Sequence, residues 1–350
     1  MKVALNTRSL TSDHKVRGIG FYTQRLLNQF QQLSKTKKNF QLFEFSQQPP
    51  VDVDIIHYPA FTLFSSKISF FNSIPTIITV HDLIPLKYPQ HFPLGIKARI
   101  KWMKQKQSLK KAQAIITDSQ VSQQDIIKFT KINADKIHVI YLAADKIFRQ
   151  INNQQVLKNI KRLYKLPQKF ILYVGDMNWN KNIPLLAQTC LDLNYSLVVV
   201  GKQAVSEDFD HQHPENKDLI SFQNLAQENP QQIIRLGFIP TKDLSAIYNL
   251  ATCYAQPSHA EGFGLTILEA MACACPVITS KNTSLAEIAE QSAVLIDSKN
   301  KKELTSALQN YWQNPSLRQK MSQLGLNQIK KYSWQKTAQQ TLEVYEKILV

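Results

Sequence analysis

The chain has 350 residues, of which 43% are hydrophobic and 19% charged, so a wholly disordered protein is excluded and two domains are expected. No apolar run is long enough to cross a bilayer, and no signal-peptide cleavage pattern follows Met1. The four cysteines form no Cys-x-x-Cys pair. These three observations predict a reduced, cytoplasmic location. Residues 1–165 hold 26 of the 42 basic side chains and only 9 acidic ones, which favours an anionic partner; a merely solvated basic surface is the alternative.

Short apolar runs alternate with helix-like segments along the chain. The predicted strands are 3–6, 41–45, 54–57, 76–81, 114–118, 138–141, 170–174, 196–200, 232–236, 252–256, 276–279 and 293–296. Several are apolar on both faces, as buried parallel strands are. The alternation predicts an α/β fold with two facing Rossmann-like, doubly wound domains and a ligand cleft between them. Polar residues at 150–155 and the stop at Leu166-Pro167 predict a boundary near residue 160.

A histidine stands at the end of a predicted strand in the first half. In Thr79-Val80-His81-Asp82, the imidazole of His81 would lie at the carboxyl edge of the sheet, where ligands bind, and Asp82 could orient it. The alternative is a structural histidine with one backbone partner. His57 ends another strand and is a weaker candidate.

The segment 97–111 predicts a helix with seven basic residues in fifteen. Ile96, Ile100 and Met103 fall on one stripe of this helix. Such a helix could lie on anionic lipid. The alternative is a helix that packs on the core and exposes a solvated basic face.

The residues 173–182 predict a strand, a tight turn at Gly175 and a helix start near Lys181. An ammonium group at this edge of a sheet can neutralise a diphosphate. The alternative is that Lys181 is an ordinary surface lysine in the first turn of a helix.

The residues 259–272 follow another predicted strand and open a helix rich in Ala, Leu and Met. Gly262 and Gly264 would let the backbone approach a ligand, and the N–H groups that begin the helix would favour an anion. Glu261 in the loop and Glu269 in the first turn could accept hydrogen bonds from ligand hydroxyls. The alternative is that Thr266-x-x-Glu269 is a capping box that only stabilises its own helix.

Two further clusters are assigned structural roles. His211 and His213, with carboxylates nearby, have the residue types of a metal site, but their polar surroundings predict a surface loop. Cys273 and Cys275 are predicted to be small buried side chains.

These motifs together resemble a known family. The pair Glu261-x7-Glu269, with the flanking residues 235–240 and 275–278, is similar to the donor domain of the group 1 (GT4-like) retaining glycosyltransferases, which have the GT-B fold. The similarity runs over most of the chain. It implies that Glu269 holds the ribose of a nucleotide and that Glu261 contacts the donor sugar.

The resemblance also assigns the remaining site residues. It implies catalytic roles for His81, Lys181 and Glu261. The donor-binding residues it implies are Gly18, Gly175, Asn180, Phe238, Gly262, Phe263, Gly264, Leu265, Thr266 and Glu269. The turn Thr117-Asp118-Ser119 matches the family's turn beside the acceptor.

Three positions depart from the family. Asp176 and Asn180 stand where a second cation is usual, which would weaken the binding of a diphosphate, and Arg17 replaces the first glycine of a usual Gly-Gly pair.

The resemblance predicts a retaining hexosyltransferase that moves mannose or glucose from a GDP- or UDP-hexose to a glycan or lipid-linked acceptor in cell-surface polysaccharide or glycolipid synthesis. Its domains would be 1–160 for the acceptor, 161–332 for the donor, and a C-terminal helix over 333–350 that crosses back to the first domain. No cofactor, metal or nucleic acid is expected. Contact with the inner face of the membrane through 97–111 stays a hypothesis. The alternatives are a sugar-nucleotide epimerase of the same fold, an inactive nucleotide-sugar-binding module and, from the basic first half alone, a nucleic-acid binder.

Overall fold

The computed structural model describes residues 1–11, 18–64, 68 and 74–349, so Arg17 lies outside the described residues. The chain divides into two compact units. The first unit consists of Met1–Ala143 with Tyr332–Val350, and the second consists of Ala144–Lys331. Each unit contains a six-stranded sheet in which the neighbouring strands are parallel.

The sheet of the first unit has the strand order β2-β1-β3-β4-β5-β6. Its strands are β1 (Lys2–Asn6), β2 (Gln41–Phe45), β3 (Ile55–Tyr58), β4 (Thr76–Thr79), β5 (Ala114–Thr117) and β6 (Ile137–Val139). The helices between them are α1 (Gly18–Thr36), α2 (Ile84–Lys87), α3 (Ile96–Lys111) and α4 (Gln120–Thr130). The adjacent interior strands β3, β4 and β5 are buried along their whole length, which explains why apolar residues predominate in them on both faces.

The sheet of the second unit has the strand order β12-β11-β10-β7-β8-β9. Its strands are β7 (Ile171–Val174), β8 (Leu197–Val200), β9 (Ile233–Leu236), β10 (Cys253–Gln256), β11 (Val277–Ser280) and β12 (Val294–Ile296). Its helices are α5 (Gln154–Leu163), α6 (Ile183–Asp192), α7 (Lys202–Val205), α8 (Lys217–Glu228), α9 (Thr241–Leu250), α10 (Leu265–Ala272), α11 (Ser284–Ala289), α12 (Lys301–Gln313) and α13 (Pro315–Gln328). A cluster of buried apolar residues that includes Ile171, Val199 and Leu308 packs against this sheet.

The boundary between the units differs from the one predicted near residue 160. It lies between Ala143 and Ala144, because α5 packs against α9 of the second unit. The Tyr164 hydroxyl donates to Asp243 Oδ2 at 2.7 Å, and the Ile151 N–H donates to Asn249 Oδ1 at 2.8 Å. The polar residues at 150–155 therefore open the second unit instead of separating it from the first.

The last helix, α14 (Trp334–Leu349), groups with the first unit and packs against α1. Its Tyr345 hydroxyl lies 2.5 Å from His57 Nδ1 in the interior, and its Thr337 hydroxyl donates to the Tyr141 carbonyl at 2.7 Å. These contacts make α14 part of the core of the first unit.

The twelve predicted strands are confirmed, with ends that differ by no more than two residues. The alternation of strands and helices was sufficient to predict these strands, because a short run that is apolar on both faces is typical of a buried parallel strand. Among the described helices, none is long and apolar enough to cross a membrane.

Candidate functional site

The first turn of α10 lies at the carboxyl edge of the second sheet, directly after β10. Gly264 is the N-cap of this helix and has a φ of +116°. The backbone conformation favours glycine here, and a Cβ would also overlap Leu285 Cδ2, so the buried Leu285 side chain would have to shift. The N–H groups that begin a helix have no partner within it, and they favour an anion. Among the residues that the resemblance assigns to the donor, Leu265 and Thr266 begin this turn, and Gly262 and Phe263 lie in the loop just before it.

Glu261 is held in place just before that turn. Its two carboxylate oxygens lie 2.7 and 2.8 Å from Lys181 Nζ. Oε1 also accepts hydrogen bonds from the Gln256 amide at 2.6 Å and the Ser258 hydroxyl at 2.7 Å. The side chain of Glu261 is 9% exposed and that of Lys181 21%, so this is a largely buried ion pair. The structure therefore brings two of the three predicted catalytic residues together, and Lys181 is not an ordinary surface lysine.

Glu269 does not form the capping box. The N-cap is Gly264, not Thr266, and Glu269 is the fifth residue of α10 instead of a member of its first turn. The Thr266 hydroxyl donates to Gln256 Oε1 at 2.9 Å, while Glu269 Oε2 accepts from the Tyr248 hydroxyl at 3.1 Å. The capping-box alternative is wrong, and Glu269 is oriented by a neighbouring helix, α9.

Asn180 connects two loops of this site. Its side-chain amide donates to the Ala260 carbonyl at 3.1 Å, and its own carbonyl accepts the His259 N–H at 2.8 Å. The residue is buried. These bonds fix the short turn Trp179–Lys181 against the loop that carries Glu261. Asn180 thus has a positioning contact that the sequence did not indicate, beside the donor contact implied by the resemblance.

Two other predicted donor residues lie at the same edge of the second sheet. Gly175 follows β7 and has a φ of +144°. Its carbonyl oxygen lies so close to Gly201 that a Cβ added to Gly201 would overlap that oxygen. Phe238 follows β9 and is 60% exposed, with Lys202 Nζ 5.9 Å from the centre of its ring. An exposed aromatic ring at the end of a strand offers a flat face to a ligand.

In the first unit, His81 is oriented by a residue other than the predicted one. Its Nδ1 lies 2.5 Å from Asp118 Oδ2, and its Nε2 lies 3.1 Å from the Pro59 carbonyl. Asp82 Oδ1 instead accepts the Ile84 N–H at 3.0 Å, so the prediction that Asp82 orients His81 is wrong. Asp118 directly follows β5, the strand beside β4, and residues after neighbouring parallel strands meet at one edge of a sheet. That rule could have identified Asp118 from the sequence.

His57 has a structural role. It is fully buried, and its Nδ1 and Nε2 lie 2.5 Å from the Tyr345 hydroxyl and 2.8 Å from the Thr79 hydroxyl. Burial lowers the pKa of this imidazole to about 3, with a smaller contribution from His81. His57 is therefore neutral at physiological pH and is not a candidate ligand-binding residue.

Gly18, the predicted donor residue of the first unit, begins α1. A Cβ there would meet no atom within 4 Å in the described residues, so packing does not require glycine at this position. This open space leaves the implied donor contact as a prediction.

The helix α3 exposes its apolar stripe. Ile96, Ile100 and Met103 are 78%, 46% and 59% exposed. The helix packs inward through its opposite face, where Gln105 and Leu109 are buried. The helix therefore packs on the core, as the alternative expects, and exposes an apolar stripe in addition to its basic residues, so contact with lipid stays a prediction.

The two minor clusters are where the sequence predicts them. His211 and His213 lie on an exposed loop, and Cys273 and Cys275 are buried. Across the residues that the structure describes, no group of three or more His, Cys, Asp and Glu side chains is placed to hold a metal ion.

Comparison with protein families gives two matches that together span most of the chain. Residues 154–328 match the family described as glycosyl transferases group 1. Residues 11–146 match glycosyltransferase family 4. The first match contains every residue of the Glu261 and Glu269 site, and the second contains His81.

Two curated relatives illustrate the similarity. O-antigen chain mannosyltransferase B of Escherichia coli is 29% identical over 279 residues, which cover 77% of this chain and 70% of that protein. Serotype-specific mannosyltransferase WbdA, also of Escherichia coli, is 28% identical over 284 residues, which cover 78% of this chain. The aligned region spans about a third of WbdA, 34% of its length.

Solved structures share the fold along nearly the whole chain. Sucrose-phosphate synthase from Thermosynechococcus elongatus superimposes with a TM-score of 0.74 at 18% identity, covering 99% of each chain. Anabaena Alr3699/HepE, crystallised with UDP and glucose, superimposes with a TM-score of 0.73 at 16% identity, also covering 99% of each chain. The chain therefore has the fold of these proteins.

Proposed function

Since this chain belongs to the group 1 glycosyltransferases and has the GT-B fold, we propose that it is a hexosyltransferase of cell-surface polysaccharide or glycolipid synthesis. Its donor would be a nucleoside-diphosphate sugar, and its acceptor would be a glycan or a lipid-linked molecule. The relatives that are named mannosyltransferases support mannose as the transferred sugar and favour transfer over epimerisation. The UDP and glucose bound by the Anabaena protein support a nucleotide-sugar donor.

The observation that carries the proposal is the environment of Glu261. A carboxylate paired with Lys181 stands directly before the first turn of α10, and Glu269 lies one turn further along the same helix. Carboxylates accept hydrogen bonds from hydroxyl groups, which sugars and ribose carry, and the N–H groups of a helix start bind phosphate. These carboxylates and helix N–H groups support a donor site that takes a sugar, a diphosphate and a ribose.

In the proposed reaction, the acceptor hydroxyl oxygen forms a bond to the anomeric carbon while the bond from that carbon to the diphosphate breaks. The electron pair leaves with the diphosphate, and the acceptor proton passes to a diphosphate oxygen. Attack from the face that the diphosphate leaves would retain the anomeric configuration. Lys181 and the N–H groups at the start of α10 would stabilise the negative charge that develops on the leaving group.

A thermal-shift screen with GDP, UDP, ADP and dTDP tests the donor site. One nucleotide should raise the melting temperature of the wild type at millimolar concentration, and Glu269→Ala should abolish that shift. Glu228→Ala, an exposed carboxylate at the end of α8, is the matched control and should keep the shift. The absence of any shift would contradict the proposal and favour an inactive module. Product analysis with the hexose conjugate then separates a transferase from an epimerase.

We also propose that the reaction needs no metal ion, since Lys181 and the helix start supply positive charge to the diphosphate. Transfer activity should persist in excess EDTA. Loss of activity in EDTA that Mg²⁺ or Mn²⁺ restores would contradict this part of the proposal.

A cytoplasmic, membrane-peripheral location is proposed from α3. On a helical projection, the exposed stripe formed by Ile96, Ile100 and Met103 is flanked on both sides by basic residues, and α3 contains no acidic residue. Apolar side chains enter the headgroup region of a bilayer, and lysines at its edges pair with anionic lipid. A lipid-linked acceptor would be reached from such a surface.

Vesicle sedimentation tests this location. The wild type should bind vesicles of phosphatidylcholine with about one-third phosphatidylglycerol and not vesicles of phosphatidylcholine alone. The double variant Ile100→Ser, Met103→Ser should bind about tenfold less because it loses two apolar anchors. Val51→Ser, which changes another exposed apolar residue of the first unit, is the control. Equal binding by all three proteins would contradict the role of α3.

A further inference from the structure

We infer that Asp118 is a positioning residue that holds His81 as a doubly protonated imidazolium at the carboxyl edge of the first sheet. The inference deepens the proposed function, because it rests on His81 meeting a substrate hydroxyl. It gives His81 a definite chemical role, that of a cationic hydrogen-bond donor, and it excludes a role as a general base at neutral pH.

The hydrogen-bond partners of His81 require two N–H groups. Nδ1 faces the Asp118 carboxylate, and Nε2 faces the Pro59 carbonyl. A carboxylate and a carbonyl can only accept, and a neutral imidazole has one N–H to give. The imidazolium form satisfies both contacts at once.

His57 provides an internal comparison. Its two ring nitrogens face the hydroxyls of Tyr345 and Thr79, which can donate as well as accept. A neutral ring is therefore satisfied at His57. His57 lies in β3 and His81 follows the adjacent strand β4, yet their partners favour opposite protonation states.

The Asp118 carboxylate is buried and therefore requires a nearby cation, just as the N–H groups of His81 require acceptors. Its side chain is 3% exposed, and Oδ1 has no hydrogen-bond partner within the described parts of the chain. A buried carboxylate is costly unless a cation and hydrogen bonds compensate it. A protonated His81 supplies that cation, because its Nδ1 lies 2.5 Å from Asp118 Oδ2.

The other groups around His81 agree with this assignment. Burial lowers the pKa of His81, but the charge and hydrogen bond of Asp118, the Pro59 carbonyl and, less strongly, Asp82 outweigh it, so the pKa is raised. From α1, the Tyr22 ring meets His81 edge to face at 4.9 Å between centroids. From β3, His57 adds no positive charge because its pKa is about 3.

An imidazolium donates hydrogen bonds from both ring nitrogens and does not take up a proton. To bind a substrate hydroxyl, His81 Nε2–H exchanges the Pro59 carbonyl for that hydroxyl while Nδ1–H stays on Asp118. The cation then stabilises negative charge in the reacting complex. Activity should consequently fall when the pH rises through the pKa of His81.

Histidine proton NMR titration of the full-length protein tests the inference without any substrate. The chain has eight histidines, and His81→Gln identifies the His81 signal. Asp118→Asn removes the charge and keeps the shape, so the pKa of His81 should fall by about one unit or more, which is a tenfold change in the ratio of protonated to neutral imidazole. Asp118→Glu restores the charge and should restore a raised pKa.

Asp82→Asn is the matched control, since it removes the adjacent carboxylate whose oxygen caps a local turn. It should shift the pKa of His81 much less than Asp118→Asn does. An unchanged pKa in Asp118→Asn, or an equal shift in Asp82→Asn, would overturn the inference.

The pH profile of kcat/KM for hexose transfer supplies the functional measurement. At a pH one unit above the lowered pKa, Asp118→Asn should retain about a fifth of the wild-type value for a shift of about one unit, and about a tenth for a larger shift. The alkaline limb should move to lower pH by the shift seen in NMR. A uniform loss at every pH would overturn the inference. If no nucleotide binds and no transfer occurs in the wild type, the proposed function fails, while the NMR result on Asp118 still stands.

Discussion

Lys181 Nζ lies 2.7 Å from Glu261 Oε1 and 2.8 Å from Oε2, so each charged group is the counter-ion of the other. The two residues are 80 positions apart in the sequence and come from different loops. Glu261 is additionally held by Gln256 and Ser258. A change in either partner must therefore affect the folding of the site as well as its chemistry.

A double-mutant cycle with Lys181→Met and Glu261→Gln should give a coupling free energy of about 1–3 kcal/mol in urea unfolding. Lys181→Met alone leaves a buried carboxylate without its cation, which is costly, and the second substitution removes that cost. The pair Lys301–Asp192 is the control, at 2.6 Å but with both side chains 45% exposed. Its coupling should be about 0.2–1 kcal/mol. Equal coupling in the two pairs would show that burial of the Lys181 pair has no energetic effect.

Gly264→Ala should destabilise the second unit by about 1–3 kcal/mol. The new Cβ both opposes a φ of +116° and overlaps the side chain of Leu285. Gly95→Ala is the control, because a Cβ there meets no described atom within 4 Å and φ is −65°. Its effect should be about 0.5 kcal/mol or less. Urea unfolding measures both, and comparable losses would contradict the steric explanation.

Tyr248→Phe should weaken nucleotide binding about fivefold to tenfold, because Glu269 loses the hydroxyl that orients it. Burial, and then the charge of Glu269, raise the pKa of Tyr248 well above its usual value, so the hydroxyl stays protonated and donates. Tyr311→Phe is the control, since its hydroxyl donates to the Val277 carbonyl in the core. Calorimetric titration with the nucleotide found in the screen measures the difference. Similar affinities in the two variants would exclude the orienting role.

The stability of the first unit should decrease as the pH falls from about 6.5 toward 3. The pKa of His57 is about 3 in the folded protein and near 6.5 in the unfolded chain, so the unfolded state binds more protons in this interval. The loss should reach about 1.4 kcal/mol for each pH unit. His57→Gln removes the titrating ring and should flatten the pH dependence measured by urea unfolding.

His213→Gln is the control for that experiment, because it removes an exposed histidine without touching the buried hydroxyl network. It should follow the wild-type pH dependence. A wild-type curve that is no steeper than that of His57→Gln would mean that protonation of His57 does not contribute to acid unfolding.

The sequence determined the strands because the physical signal is local. A run such as Ile171–Val174, apolar on both faces, has a place between two neighbours of a parallel sheet and few alternatives. The turn at Gly264 could also be predicted from the sequence, because glycine is scarce in this chain and this glycine precedes a predicted helix. The family resemblance then supplied the roles of Glu261 and Glu269. Residue types alone could not exclude that Glu269 belongs to a capping box.

The side-chain partners could not be derived in the same way. Asp82 was predicted beside His81 because it is adjacent in sequence, whereas Asp118 is adjacent in space. Tyr248 reaches Glu269 from α9, and no spacing in the sequence indicates that contact. The boundary was misplaced for a similar reason, since polar residues at 150–155 indicate a loop but not which unit α5 packs on.

The connection of α14 to His57 has a consequence for synthesis of the chain. A ribosome makes the second unit in full before it makes Tyr345, and the exit tunnel holds back the newest residues further. The second unit can therefore complete its sheet and core while the first still lacks its last helix, the reverse of the usual order in which the N-terminal domain folds first. Until α14 emerges, His57 and the face of α1 that α14 later covers remain open to water and to chaperones.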